Sequence, residues 1–141
     1  MIGAILAKRG VTRGYDDMNQ RDLPAMMADW HQEAVFTYPG DIPASGTFQG
    51  KSTIEAWFIR YFEQFPAVRF KVHEVCVRDI FDLVGSNVII GHWDVQVTSR
   101  AGQTGGWSGV SIFTLQRGKV VALKDIIFDV GDEFRRCWGE G

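Results

Sequence analysis

The way apolar patterning changes along the chain predicts an α+β fold, a curved, mostly antiparallel sheet wrapped around N-terminal helices. Three observations point there. Apolar residues recur at helical spacing before Pro66, and the period switches after it to that of strands. Four strand-like segments follow, at about 68–80, 86–98, 106–117 and 119–129. Their connections, Asp82 to Asn87, Arg100 to Gly106 and Arg117-Gly118, are short and turn-like, which makes consecutive strands antiparallel neighbours. Helices first and a meander afterwards is the α+β arrangement.

Taken in order, residues from about 4 to 20 predict a helix with Leu6, Tyr15 and Met18 on a loosely apolar side, weakened by Gly10 and Gly14. Asp22 is placed to cap a short helix that tolerates Pro24 in its first turn and turns Leu23, Met26, Met27 and Trp30 inward. A short strand from Ala34 to Tyr38 stops at Pro39-Gly40, and a loop runs to Gly50. Ser52-Thr53-Ile54-Glu55 has the form of a capping box. Behind it, Ile54, Trp57, Phe58, Tyr61, Phe62 and Phe65 recur at i, i+3, i+4 spacing and make an aromatic stripe, better explained by core packing than by a cofactor platform. Pro66 ends that helix. Asp132 to Trp138 predicts a last short helix with Phe134, Cys137 and Trp138 on one side.

The 141 residues suit one domain, here residues 1–141 without repeat or linker, and are enough to bury a full core. Five Trp, ten Phe and three Tyr make the composition ring-rich. A net charge of −2 with both signs scattered gives no basic surface for nucleic acid. No apolar run spans a bilayer and no leader pattern opens the sequence, so a cytoplasmic protein with no membrane partner is expected. Cys76 and Cys137 are isolated, and no histidine pair has ligand spacing, so free thiols and no metal are expected.

Chemistry is sought first in Val88 to Val97, a β-branched stretch between two turn signals. Strand alternation puts Val88, Ile90, His92, Asp94 and Gln96 on one face and Ile89, Trp93, Val95 and Val97 on the other. Both faces are largely apolar. We take the His92/Asp94 face to line an enclosed cavity and the Trp93 face to meet another layer. In the final strand, Asp125 shares a face with Val121, Leu123 and Ile127. An acid there is costly unless paired or neutral, and desolvation raises its pKa. Two such acids near a histidine could divide proton donor and acceptor roles. Phe36, Tyr38, Trp57, Trp107 and Phe113 are candidates for gripping a flat apolar ligand. The bland alternative is that each Asp is a core hydrogen-bond acceptor. Glu74 shares a face with Phe70, Val72 and Cys76 and is a minor cavity candidate, while His31 reads as a surface or capping residue, His73 alternates away from Phe70 and Val72 and could equally be exposed, and Asp129 reads as a strand-end or loop anchor.

Tyr15 through Asp22-Leu23-Pro24, Glu33-Ala34-Val35-Phe36-Thr37-Tyr38-Pro39-Gly40, Gly46-Thr47-Phe48-Gln49-Gly50-Lys51 and Arg117-Gly118-Lys119-Val120-Val121 through Phe128-Asp129 stand in an order that resembles the SnoaL-like branch of the nuclear transport factor 2-like superfamily. The resemblance covers nearly the whole chain. It implies a cone-shaped α+β (cystatin-like) fold with an internal pocket and a homodimer through the outer sheet face. Among catalytic patterns, His92-Trp93-Asp94 and Asp125 are most similar to the Arg-x-Asp and final-strand Asp of limonene-epoxide hydrolase, with His92 in the arginine's place. That enzyme's water-positioning Tyr and Asn would fall near Phe36 and Tyr38. A steroid isomerase base would fall on Tyr38, and polyketide cyclases of this class use an acid in the same pocket.

The expectation is a cofactor-independent acid–base enzyme for a small, apolar, ring-containing molecule. Asp125 would be the base, Asp94 the acid or orienting carboxylate, and His92 their bridge. Cyclisation, isomerisation, dehydration and epoxide hydrolysis stay open, and so does a non-catalytic binding or dimerisation module of the same fold.

Overall fold

The first helix sets the frame on which the other elements pack. The computed structural model describes residues 1–139, and α1 (Ile2–Gln20) buries Gly3, Ala4, Ala7, Val11, Tyr15 and Met18, one face at i, i+3, i+4 spacing. It stops at Arg21, which adopts a left-handed conformation (φ 58°) and donates its N–H to the carbonyls of Asp17 and Met18, closing the last turn. Asp22 then caps α2 (Leu23–Met27) by accepting the N–H of Ala25 at 3.1 Å.

The remaining elements are β1 (Trp30–Tyr38), β2 (Gly46–Gln49), α3 (Lys51–Gln64), β3 (Ala67–Val77), β4 (Asn87–Thr98), β5 (Thr104–Gln116), β6 (Lys119–Ile127) and α4 (Asp132–Trp138). One open six-stranded sheet has the order β2-β1-β6-β5-β4-β3. Every neighbouring pair is antiparallel except β1 and β6, which run parallel with Phe36 opposite Leu123. The expected α+β class and the β3–β6 meander are therefore present. The pairing of β1 with β6 and the strand β2 carry no local signature and were not anticipated.

The helices cover one face of this sheet. The α3 stripe buries Ile54, Trp57, Phe58 and Tyr61, with Phe65 fully enclosed at its end. Trp57 meets Phe36 and Tyr38, each at 4.7 Å between ring centroids, and its indole N–H donates to the Ala44 carbonyl. Trp138 of α4 closes against Phe65 at 4.8 Å and donates to the Tyr38 hydroxyl. Arg21 ties α1 to the far end of α3. Its guanidinium donates to the carbonyls of Phe62 and Phe65 at 2.6 and 2.7 Å and lies 4.6 Å over the Phe62 ring, satisfying carbonyls that a helix end leaves open.

Three local expectations need correction. The helix expected from the Ser52–Glu55 capping box starts at Lys51 with Gly50 (φ 95°) at the N-cap and no side-chain cap, so Ser52 already lies inside the first turn. β1 begins at Trp30 rather than Ala34, because Trp30 pairs with Val120. Glu74 does not share a face with Phe70 and Val72: a bulge between Val72 and Glu74 shifts the alternation, which turns Glu74 to the opposite side. Cys76 and Cys137 are free thiols, as expected.

Candidate active site

Alternation along β4 settles which way its side chains point, and it reverses the expectation. Asn87, Ile89, Gly91, Trp93, Val95 and Val97 are buried, whereas Val88, Ile90, His92, Asp94 and Gln96 are exposed or half-buried. Asp94 and His92 therefore lie on the outer face of the sheet, away from the helices. Trp93 claims the inner face because the space there is cut for it. A side chain at Gly109 would come within 3.1 Å of the Trp93 ring, and Phe70 packs edge-on to that ring at 5.2 Å.

On the outer face Asp94 accepts hydrogen bonds from Ser108 and from the His73 imidazole, the latter at 2.7 Å. These two partners, Ser108 first, hold its carboxyl below the usual range. His92 pairs instead with Glu74 at 2.9 Å, and the rings of His73 and His92 lie 4.9 Å apart. The sheet thus separates His92 and Asp94 from the third group, Asp125.

Asp125 does face inward. In β6, Leu123, Asp125 and Ile127 share the concave side while Lys124 and Ile126 point out. Directly across the ladder Asp125 meets Ser111 of β5, whose hydroxyl donates to Oδ1 at 2.7 Å. The same Ser111 oxygen accepts the indole N–H of Trp93 at 2.9 Å. Burial pushes the Asp125 carboxyl up to about 7, with the Ser111 hydrogen bond pulling the other way. Protein surrounds the carboxyl, while the residue as a whole is half-buried. A desolvated carboxyl with one donor is held near neutrality and can both give and take a proton at pH 7.

Tyr15 completes the site from α1. Its hydroxyl is, among the described residues, the one buried side-chain polar atom without a hydrogen-bond partner. It points at β4 over Gly91, where a Cβ would lie 2.7 Å from the oxygen, so only glycine leaves room for it. The hydroxyl is close enough to feel Ser111 and Asp125. No partner meets hydrogen-bond geometry, but the Ser111 oxygen, which donates to Asp125 and accepts from Trp93, keeps one lone pair and is near enough to lower the phenol's pKa. Burial raises the phenol's pKa, as it does those of Tyr38 and Tyr61, which also feel the Asp125 charge. An unmatched buried donor costs on the order of 1–3 kcal/mol and calls for an explanation.

The ring residues divide. Phe36, Tyr38, Trp57 and Trp107 are all buried and packed against other rings. Phe113 is half-buried on the concave side, edge-on to Tyr15 at 6.1 Å. A groove of ≈ 680 Å³ lies elsewhere, between Asn19, Arg21, Arg69, Gln96, Gly105 and Glu133, and its lining does not include Asp125. Among the described residues no cluster of three or more His, Cys, Asp or Glu is placed to hold a metal. Tyr15, Ser111 and Trp93 were not singled out as site residues. The alternation Trp107, Gly109, Ser111, Phe113 carried a usable signal, a hydroxyl set among rings on the strand next to Asp125.

Solved structures share this architecture. Bal32a from a soil-derived mobile gene cassette superposes with a TM-score of 0.80 at 22% identity, over 91% of this chain and 93% of its own. TerC, co-crystallised with polyporic acid, gives 0.76 at 19% identity over 95% and 98%. A nuclear transport factor 2-like protein of unknown function from Burkholderia pseudomallei gives 0.72 at 18% over 93% and 94%. At these identities the likeness establishes the fold. No curated protein matches the sequence. The SnoaL-like domain profile, however, matches residues 11–123, a span that runs from α1 through Tyr15 and Ser111 into β6 just short of Asp125. With the sheet order and the enclosed aromatic core agreeing, this chain belongs to the SnoaL-like domain family.

Proposed function

We propose that the protein is an acid–base enzyme acting on a small, apolar, ring-containing molecule, with Asp125 as the proton acceptor and Tyr15 as the facing donor. The observation that carries this reading is the pairing of a carboxyl raised to about 7 with a buried hydroxyl that has no partner. In its ionised form Asp125 takes a proton from a carbon next to a carbonyl. The Tyr15 hydroxyl donates a hydrogen bond to the oxygen on which negative charge develops, and protonated Asp125 then returns the proton at a second position. A neutral phenol in a low-dielectric site suits the second role, because it stabilises an oxyanion without first giving up its own proton. Ser111, fixed by Trp93, holds Oδ1 and leaves the other carboxylate oxygen for substrate.

Structures of the same fold carry provisional assignments as isomerase, hydroxylase and polyketide cyclase, and proton transfer at carbon suits cyclisation and isomerisation. Epoxide hydrolysis by two carboxylates loses support, since Asp94 and His92 stand on the other side of the sheet. The test is hydrogen–deuterium exchange at the α-carbons of a panel of aryl cyclic ketones such as 2-tetralone, followed by NMR. Asp125→Asn is expected to abolish catalysed exchange, and Tyr15→Phe to slow it roughly 10²–10³-fold. Exchange that persists unchanged in Asp125→Asn refutes the assignment.

The second part of the reading is a homodimer through the outer sheet face. Ile90, Ile126 and Phe128 are exposed there at 39, 39 and 62%, beside half-buried Val88, Val110 and Ile112, more apolar surface than an isolated sheet face ordinarily offers to water. Ile90→Asp with Phe128→Asp is expected to convert a dimer to monomer in sedimentation equilibrium. A wild-type monomer at high concentration refutes it.

A further inference from the structure

We propose that the end of the molecule formed by the start of α1 and the β3–β4 connection is a docking surface for an anionic lipid bilayer. Met1, Ile2, Ile5 and Leu6 on α1 are 50–73% exposed, and Ile80, Phe81, Leu83 and Val84 in the connection are 55–79% exposed. The two groups are one surface: a Cβ on Gly3 would sit 2.7 Å from the Asp82 carbonyl oxygen, so helix and loop are in backbone contact there.

The loop is built to hold these side chains outward. Asp82 is buried and its carboxylate accepts the N–H groups of Val84, Gly85 and Ser86 and the Asn87 amide. A loop tied by its own buried acid presents Phe81 and Leu83, on either side of that acid, to solvent. Exposed apolar side chains in such number on a fixed scaffold mark a contact surface.

Charge selects the occupant. From its start to Tyr15 the chain carries Lys8, Arg9 and Arg13 and no acid. Arg78 stands at the end of β3, and Arg117 is joined to the loop through its N–H to Ser86. All five cations are exposed, and they outnumber the loop's own two acids, Asp82, which is buried against backbone N–H groups, and Asp79, which accepts the N–H of Phe81. Two copies meeting here would oppose these like charges. An anionic bilayer accepts both parts of the surface, the apolar tip among acyl chains and the cations among headgroups. Among the described residues no helix is long and apolar enough to cross a membrane, and the attachment proposed lies in the interface. The surface is separate from Asp125 and from the outer sheet face, and the inference is independent of the reading given to either.

Co-sedimentation of the purified protein with phosphatidylcholine vesicles, with and without phosphatidylglycerol, tests this. Binding is expected on the anionic vesicles alone and is expected to fall in high salt. Phe81→Asp with Leu83→Asp removes it, and each of Arg9→Gln and Arg78→Gln weakens it roughly fivefold. All four positions are exposed, and unchanged thermal unfolding checks that the variants fold. No binding to either vesicle, or binding the loop variant retains, overturns the proposal. So does a wild-type dimer that Phe81→Asp dissociates, because a second copy then covers the surface.

Discussion

Replacing Asp125 with asparagine isolates the ionisation on which the site depends. The substitution keeps size and shape, and the amide oxygen still accepts from Ser111, which now lies 2.7 Å from Oδ1. The carboxyl's pKa rises from 3.8 to about 7 on folding. Between those values the native protein holds a proton that the unfolded chain has lost, so wild-type stability falls as pH rises through this window and levels off above it. Asparagine does not titrate, so the gap between variant and wild type isolates this group while the other ionisations cancel. From pH 5 to pH 8 the wild type crosses about two of the raised units, or about 3 kcal/mol at 1.36 kcal/mol per unit. Partial exposure of Asp125 trims that to about 1–3 kcal/mol. Urea unfolding of both proteins at the two pH values measures it: the stability of Asp125→Asn relative to wild type should be greater at pH 8 than at pH 5 by that amount. A gap that does not change with pH means the carboxyl ionises as it does in water, and the case for Asp125 as a neutral-pH base fails with it.

Other outcomes follow from the same geometry. Asp94→Asn is expected to leave ketone exchange within about twofold of wild type, since its partners and its exposure are on the outer face; a large loss would mean the two acids communicate through the sheet. Gly91→Ala places a methyl 2.7 Å from the Tyr15 oxygen and is expected to destabilise by about 1–3 kcal/mol. Combining it with Tyr15→Phe should recover part of that loss in urea titrations. Arg21→Ala removes two carbonyl hydrogen bonds at the end of α3 and the contact with Phe62, a loss of about 2–3 kcal/mol by thermal unfolding.

Much of the architecture was legible because its signals are local. The aromatic stripe from Ile54 to Phe65 has one period and one solution, and Asp22 and the Asp132–Trp138 helix lie where their spacing placed them. Which face of β4 turns inward was not legible, because both faces of Val88–Val97 are apolar. The tie is broken by partners distant in sequence. Tyr15 needs the bare backbone at Gly91, and Trp93 needs the gap at Gly109. Asp125 could be read from its own strand, whereas Ser111 and Tyr15 become its neighbours only through strand register and helix docking. The outer histidines gave no sign of separating into His73–Asp94 and His92–Glu74, since the bulge after Val72 decides which residues of β3 they meet. Nor did the sequence betray the apolar end, whose two halves are modest when apart.

The position of β6 has a consequence for assembly. Among the described residues it is the last strand in the chain, yet it lies between β1 and β5 and joins the β2-β1 pair to the β5-β4-β3 meander. Until it arrives, the growing polypeptide holds two sheet fragments with open edges facing each other across a missing strand. Closing them requires contacts between residues near positions 36 and 123, the kind of distant pairing that slows folding and lengthens exposure to aggregation. Lesions in β6 should therefore reduce soluble yield out of proportion to their effect on the finished protein.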